Sequence, residues 1–259
     1  MVGPLNFSVN EECGCLVSGF ETPPAVLMTH SRLWTGRLLE SAGFANEIDL
    51  FAYRLLPSQM PRRAHQIAEL ASRTRGVTTR SFDMVRYADE VRLLVDIFND
   101  AWSENWGFVP FSPAEIDALI AEMRPFFRGN YGCFVLFHGE PVGFMVGLPN
   151  INEVIAEFGG PLLPFNRIRL LWWLRMERAR SVRIPLLGLR KTYQSTPMGG
   201  MVLALLAAEL LQLWRQYHHR WVEFSWVLEN NTRMVELAEL VAGAPAKVYR
   251  IYTKGIPSR

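Results

Sequence analysis

The chain has 259 residues, 49% of them hydrophobic and 20% charged, with a net charge of +2. That composition can fill one large core or two small ones and excludes an intrinsically disordered chain. No basic stripe interleaved with aromatics is present, which argues against a nucleic-acid partner; the cations are nearly all arginine, the lysines being Lys191, Lys247 and Lys254. The three cysteines, Cys13, Cys15 and Cys133, show no repeated spacing, so no disulfide framework is expected. No second His or Cys cluster accompanies Cys13-Gly14-Cys15, so no metal is expected either. Residues 1–10 lack the charged start and apolar core of a signal peptide. Glu209 and Arg215 interrupt the longest apolar run, so no transmembrane segment is expected, and a reducing cytoplasm is the simplest location.

In chain order, Leu5–Val9 and Cys15–Phe20 are short apolar segments, Pro23-Pro24 breaks the chain, and Val26–Met28 reads as another extended piece. Arg32–Ala42 has helical spacing and stops at Gly43, and Leu50–Leu55 alternates like a strand. Residues 57–75 carry Pro57, Pro61 and several arginines and read as a linker with a helix over Ala64–Ala71. Val77–Ser81 suits a strand, and Phe82–Trp102 a helix that buries Val91, Leu94, Val95 and Phe98. An aromatic turn follows, Asn105–Pro110. Ser112 and Glu115 then form a capping-box pattern opening a helix to about Phe127. Cys133–Phe137 and Pro141–Leu148 read as a hairpin through His138-Gly139-Glu140. Asn150–Phe158 suits a short helix, Gly159-Gly160-Pro161 a break, and Asn166–Arg180 another helix. Trp221–Leu228 is a strand, Asn231–Ala242 a helix and Lys247–Thr253 the last strand. His218-His219 ends a helix, where positive charge suits the dipole.

The stretch Ile184–Trp214 organises the rest. Ile184–Leu189 is an apolar run suited to a buried strand, Arg190–Pro197 a polar turn, and Met201–Trp214 a helix rich in Leu and Ala. A helix start has N–H groups with no internal partner and a favourable dipole for anions, and Gly199 and Gly200 let a phosphate approach the backbone.

Gln194-Ser195-Thr196-Pro197-Met198-Gly199 resembles the Q/R-x-x-G-x-G/A signature of the GCN5-related N-acetyltransferases, in which this loop holds the pyrophosphate of acetyl-CoA. Pro197 departs from it, standing where the family has its first glycine, and can neither donate an N–H nor take a positive φ. The element order over residues 76–254, β-α-α-β-β, an insertion, then β-α-β-α-β, is similar to that family too. Ile97–Pro110 and Asn6–Gly14 resemble a bacterial branch that is longer at the N-terminus. The resemblance implies an α/β (α+β) acetyltransferase fold: a mixed, mostly antiparallel central sheet flanked by helices. Leu38–Phe44 followed by Leu50–Arg54 parallels Val235–Gly243 followed by Lys247–Tyr252. Residues 1–56 therefore read as the C-terminal half of a second, degenerate module of a tandem protein, which either packs on the intact domain or, the favoured reading, is left by truncation of a longer chain. Residues 76–259 read as the acetyltransferase domain, with an insertion at about 150–180.

The resemblance further implies an acetyl-CoA or other acyl-CoA cosubstrate and a small-molecule amine acceptor, with a homodimer as a further possibility. Cofactor contacts fall on Leu187, Leu189, Gln194, Ser195, Thr196, Met198, Gly199, Gly200 and Asn231, with the Leu189 N–H facing the thioester carbonyl. Many members carry a tyrosine on the helix after the Asn, where this chain has Ala238. Glu229 is left as a base and Tyr252 as an acid, each with a structural alternative. Trp102, Trp106 and Phe108 form either a lid over the acceptor site or a packed helix corner. Trp172 and Trp173 form either an acceptor wall or core, and the arginine-rich insertion that carries them, Arg167–Arg180, reads as a partly buried flap, a dimer contact, a membrane-surface helix or an acyl-chain binder. Two functions are consistent with this: an N-acyltransferase, or a degenerate module that binds CoA or a partner without turnover.

Overall fold

The computed structural model describes residues 1–6, 8–56, 61–125, 127–160, 162 and 165–255. Pro57 of the expected linker, Phe7 of the N-terminal motif and Pro161 of the expected break lie outside them. The strands are β1 (Val2–Gly3), β2 (Leu5–Asn6), β3 (Ser8–Cys13), β4 (Cys15–Ser18), β5 (Ala45–Leu55), β6 (Val77–Ser81), β7 (Gly132–Phe137), β8 (Glu140–Pro149), β9 (Ser181–Leu189), β10 (Trp221–Leu228) and β11 (Lys247–Thr253). The helices are α1 (Thr35–Ser41), α2 (Arg62–Ser72), α3 (Tyr87–Trp102), α4 (Pro113–Met123), α5 (Asn152–Ile155), α6 (Phe165–Arg175), α7 (Pro197–Tyr217) and α8 (Thr232–Ala242).

Among the described residues the strands form a nine-stranded sheet in the order β1-β11-β5-β10-β9-β8-β7-β6, with β4 also on β11, and a small β2-β3 sheet. All pairs in the large sheet are antiparallel except β9 with β10, which run parallel. On one face α7 lays Val202, Leu206, Leu210 and Trp214 over Cys133, Val135, Met145 and Val182. On the other, α3 buries Val91, Leu94, Val95 and Phe98 against Phe134, Phe144 and Val146. The spacing of those α3 residues is the i, i+3, i+4, i+7 stripe of a core-facing helix. Ser112 closes the capping box with Glu115 and starts α4.

Residues 1–56 are tied to the rest of the chain by β5, which is paired on both edges inside the main sheet. Leu50 lies opposite Leu228 on β10 and Tyr249 on β11. Its side chains Leu50 and Ala52 share a core with Cys13, Leu16, Tyr249 and Ile251. Buried charges hold the rest of the N-terminal segment. Arg183 donates to the carbonyls of Val26 (3.0 Å) and Leu27 (3.1 Å) and to Ser225 Oγ (2.9 Å), and Lys247 Nζ donates to the carbonyls of Gly19 and Thr22. These bonds compensate the desolvation of two cations that could not otherwise be buried. Val26 and Leu27 form a turn rather than the expected extended piece.

Three further expectations change. α7 begins at Pro197, four residues before the expected Met201, because Pro is favourable at the first helical position, where its missing N–H costs nothing. By length and composition its Pro197–Trp214 portion is also apolar enough to cross a membrane, although half of it is buried inside the fold. His219 does not face the α7 dipole as a cation. It is buried, with Nδ1 3.0 Å from the Ala179 carbonyl and Nε2 3.2 Å from the Tyr131 hydroxyl, and burial lowers its pKa.

Candidate functional site

β9 and β10 pair only from Ser181–Ile184 with Trp221–Phe224; beyond that they part. A cavity of about 530 Å³ opens in the gap, lined by Ile184, Pro185, Leu187, Gly188 and Leu189 on one side and Phe224–Leu228 on the other. Diverging parallel strands leave backbone groups without ladder partners, so they must be satisfied by side chains or by a ligand. Two carbonyls facing the gap are already taken. Trp102 Nε1 donates to Leu187 O at 3.4 Å, and Gln194 Nε2 donates to Leu189 O at 2.9 Å. In a strand the N–H and C=O of one residue point the same way. The N–H groups of Leu187 and Leu189 therefore face the cavity, while Arg190 N bonds Val142 O across β8 at 2.8 Å.

The loop at the cavity mouth is built by local rules. Thr196 caps α7, accepting the Gly199 N–H at 3.1 Å and donating to Tyr193 O at 2.7 Å. The positive φ that the turn requires falls on Ser195 (+65°), not on Pro197, so proline is compatible with this loop after all. A non-glycine residue held there is a strained position of the kind found at ligand clamps. Gly199 and Gly200 differ. A Cβ on Gly199 would lie 2.3 Å from the Tyr193 carbonyl oxygen, so that glycine serves the turn itself, whereas a Cβ on Gly200 would meet nothing within 4 Å. With Pro197 lacking an N–H and Gly199 committed to Thr196, the first-turn donor left for a ligand is the Met198 N–H.

The mouth also carries a cation. Arg233, in the first turn of α8, lines the cavity, and its guanidinium donates to Ser195 Oγ. Among the described residues it has no carboxylate partner, whereas Arg190 is paired with Asp96 and Lys191 with Glu104. Sequence reasoning missed Arg233; its position two residues after the capping Asn231 was the available signal. Asn231 lines the cavity and caps α8 through its side chain to the Met234 N–H at 3.3 Å.

The inner wall is apolar and partly N-terminal: Val9, Cys13, Leu50, Trp106, Phe108, Trp226 and Leu228. Asn10 Nδ2 bonds Val109 O at 2.8 Å, fastening β3 to the aromatic turn. Burial raises the Cys13 thiol pKa to about 12, so this thiol is neutral at physiological pH.

Thus Leu187, Leu189, Gln194, Ser195, Thr196, Gly199, Gly200, Asn231, Trp102, Trp106 and Phe108 lie together around one cavity. Five expected residues do not line it. Met198 turns its side chain toward the core under α7. Glu229 is drawn away by β5: its Oε1 accepts the Asp49 N–H at 3.0 Å and its N–H donates to Asp49 O. Tyr252 is buried on β11, its hydroxyl 3.3 Å from Glu40 Oε1. Trp173 packs with Val154, Leu170 and Leu174, and Trp172 lies on the surface under Arg178. The physical reason for these last two is position: α6 precedes the Ser181 end of β9, while the cavity opens beyond Ile184. Among the described residues no group of three His, Cys, Asp or Glu side chains is placed to hold a metal ion.

A sheet split between two parallel strands, with a phosphate-type loop at the start of the following helix, is the arrangement of the GCN5-related N-acetyltransferase fold, and the chain has that fold. Solved structures bear this out at the level of fold. A GCN5-related N-acetyltransferase from Sphaerobacter thermophilus superposes with a TM-score of 0.55 at 17% identity, covering 86% of this chain and 56% of that one. A tandem GNAT protein from the clavulanic acid biosynthesis pathway gives 0.52 at 10% identity, covering 95% and 64%. Two curated relatives are similar in sequence. A bacterial ceramide synthase of Caulobacter vibrioides is 40% identical over 261 residues, and Protein YghO of Escherichia coli is 35% identical over 255 residues. Each alignment takes in 98% of this chain, which spans 66% and 65% of the two relatives' lengths. No protein-family model matches the chain.

Proposed function

We propose that the protein is an acyl-CoA-dependent N-acyltransferase whose acceptor is a long-chain amine. The observation that carries this is the single cavity joining the α7 loop to an apolar inner wall. Its volume of about 530 Å³ lies within the roughly 300–1,000 Å³ of small-molecule sites. The loop of Gln194–Gly200 and Arg233 suit the anionic end of CoA, and the aromatic and aliphatic wall suits hydrocarbon rather than a polar acceptor. The kinship with a ceramide synthase supports the same class, since a ceramide is the amide of a long-chain amino alcohol with a fatty acid.

In this reading the amine nitrogen attacks the thioester carbonyl carbon. The N–H groups of Leu187 and Leu189 stabilise the oxyanion, the C–S bond breaks and an amide forms. The proton lost by nitrogen ends on the CoA thiolate. Ser225 lines the cavity with its hydroxyl 3.3 Å from Glu223 Oε1, and burial raises the Glu223 carboxyl pKa despite Arg183 and Arg54. We assign proton acceptance to this pair, with Glu223 acting through Ser225.

Thiol release and product mass, measured over acetyl-, octanoyl- and palmitoyl-CoA against long-chain and short polar amines, test the reading. Turnover concentrated on long-chain pairs is expected. Preference for acetyl-CoA with a polar amine overturns the acceptor class. The second reading, a CoA-binding module without turnover, is favoured by one observation: Ala238 stands where many members carry their acid, packed against Tyr53 and Val227. CoA binding with no thiol release from any pair would establish it.

A further inference from the structure

α6 buries one face and leaves an opposite apolar face open. Leu170, Trp173 and Leu174 turn inward onto Val154 and Ala179. On the other side Phe165 is 80% exposed, Ile168 66%, Trp172 50% and Met176, just past the helix, 53%. The spacing i, i+3, i+7, i+11 places these four along one line of the helix surface. Single exposed apolar residues need no explanation, but a continuous stripe of large ones does. Leu171, at 47%, widens it.

Arginines border the stripe. Residues 165–180 hold five, Arg167, Arg169, Arg175, Arg178 and Arg180, against one acid, Glu177, in a chain whose net charge is only +2. Arg169 is paired with Glu157, and Arg178 stacks on Trp172 with its guanidinium 4.2 Å from the ring centre. Arg167 and Arg175 are exposed and have no acidic partner among the described residues.

We infer that this face of α6 lies on an anionic lipid surface, with Phe165, Ile168 and Trp172 in the acyl boundary and Arg167 and Arg175 at the headgroup phosphates. The geometry is that of a helix lying in the plane of a bilayer interface: an apolar stripe with an aromatic ring, flanked by cations. Charge decides between occupants. A second copy seated face to face would bring the same arginines against one another, because a two-fold contact pairs a patch with itself. An anionic bilayer neutralises them. The inference stands on the surface alone and does not depend on the proposed reaction.

The test uses the full chain in co-sedimentation with phosphatidylcholine vesicles, with and without phosphatidylglycerol. Binding to the mixed vesicles is expected, weakening as salt shortens the Debye length. The triple variant Phe165→Ser, Ile168→Ser, Trp172→Ser should lose at least about tenfold in partition, since it removes the apolar burial. Arg167→Gln with Arg175→Gln should abolish the preference for phosphatidylglycerol. All these residues are exposed, so unchanged melting temperatures are expected and confirm that the loss is not unfolding. Failure of the wild type to bind mixed vesicles, or variants that bind equally well, overturns the inference. So does light scattering that shows a dimer which the triple variant dissociates, because the face is then an interface between copies.

Discussion

Replacing Gly200 by Glu isolates the anion site from the fold. Gly200 is the fourth residue of α7, is exposed to the cavity, and has open space where a Cβ would go. The backbone therefore tolerates a side chain, and a helical Gly replaced by another residue gains up to about 1 kcal/mol. A carboxylate near the helix start also suits the dipole, so the melting temperature should hold or rise slightly. The same carboxylate would stand near a diphosphate carrying about two charges. At roughly 5 Å and a water-like dielectric, the repulsion is about 1.7 kcal/mol, or roughly fifteenfold in Kd, and larger if the mouth is drier. Calorimetric titration of CoA, beside thermal melts of the wild type, Gly200→Ala and Gly200→Glu, measures it. Gly200→Ala should bind as the wild type does. Gly199 is the wrong position for this test, because its Cβ would strike the Tyr193 carbonyl and disturb the turn whatever is bound. If Gly200→Glu binds CoA within a factor of about two of the wild type, the diphosphate does not sit at this helix start.

Removing residues 1–56 should abolish cooperative unfolding, since β5 pairs with both β10 and β11; a fragment that still melts sharply and binds CoA would show that β5 is dispensable. Glu223→Gln should lower kcat by at least about tenfold with CoA affinity unchanged, and unaltered turnover in a stably folded variant removes this carboxyl from proton transfer. Burial depresses the His219 pKa below its usual 6.5, so the unfolded chain binds a proton below that pH while the folded chain does not. Its contribution to stability is thus present above about pH 6.5 and lost as the pH falls below it. Melting temperature should fall on acidification more steeply in the wild type than in His219→Gln, and equal slopes would show that His219 charges freely in the fold.

Much of the element order was legible in the sequence because its signals are local. The α3 stripe, the Ser112 capping box, the β7–β8 hairpin and the Asn231 cap each depend on residues a few positions apart. The loop from Gln194 to Gly200 was visible for the same reason, although only the backbone showed that Ser195, not residue 197, takes the positive φ and that Gly199 serves the turn. What lay beyond local signals was the partner of each element. The alternation in β5 is the same whether it joins a neighbouring half-module or enters the main sheet, and tertiary pairing placed it between β10 and β11. That placement ties Glu229 to Asp49, 180 positions away, and so takes it out of the cavity. The cavity itself exists because β9 and β10 part after Ile184 and Phe224 while β3 and β5 close the far side. Trp172 and Trp173 show the same limit. Composition marks them as large apolar side chains beside arginines, but which one is buried, and that neither reaches the cavity, follows from where α6 meets the start of β9. Short-range hydrogen bonding and side-chain periodicity fix what each segment becomes; the walls of a site are set by contacts between segments distant in the chain, and those leave no mark on either segment alone.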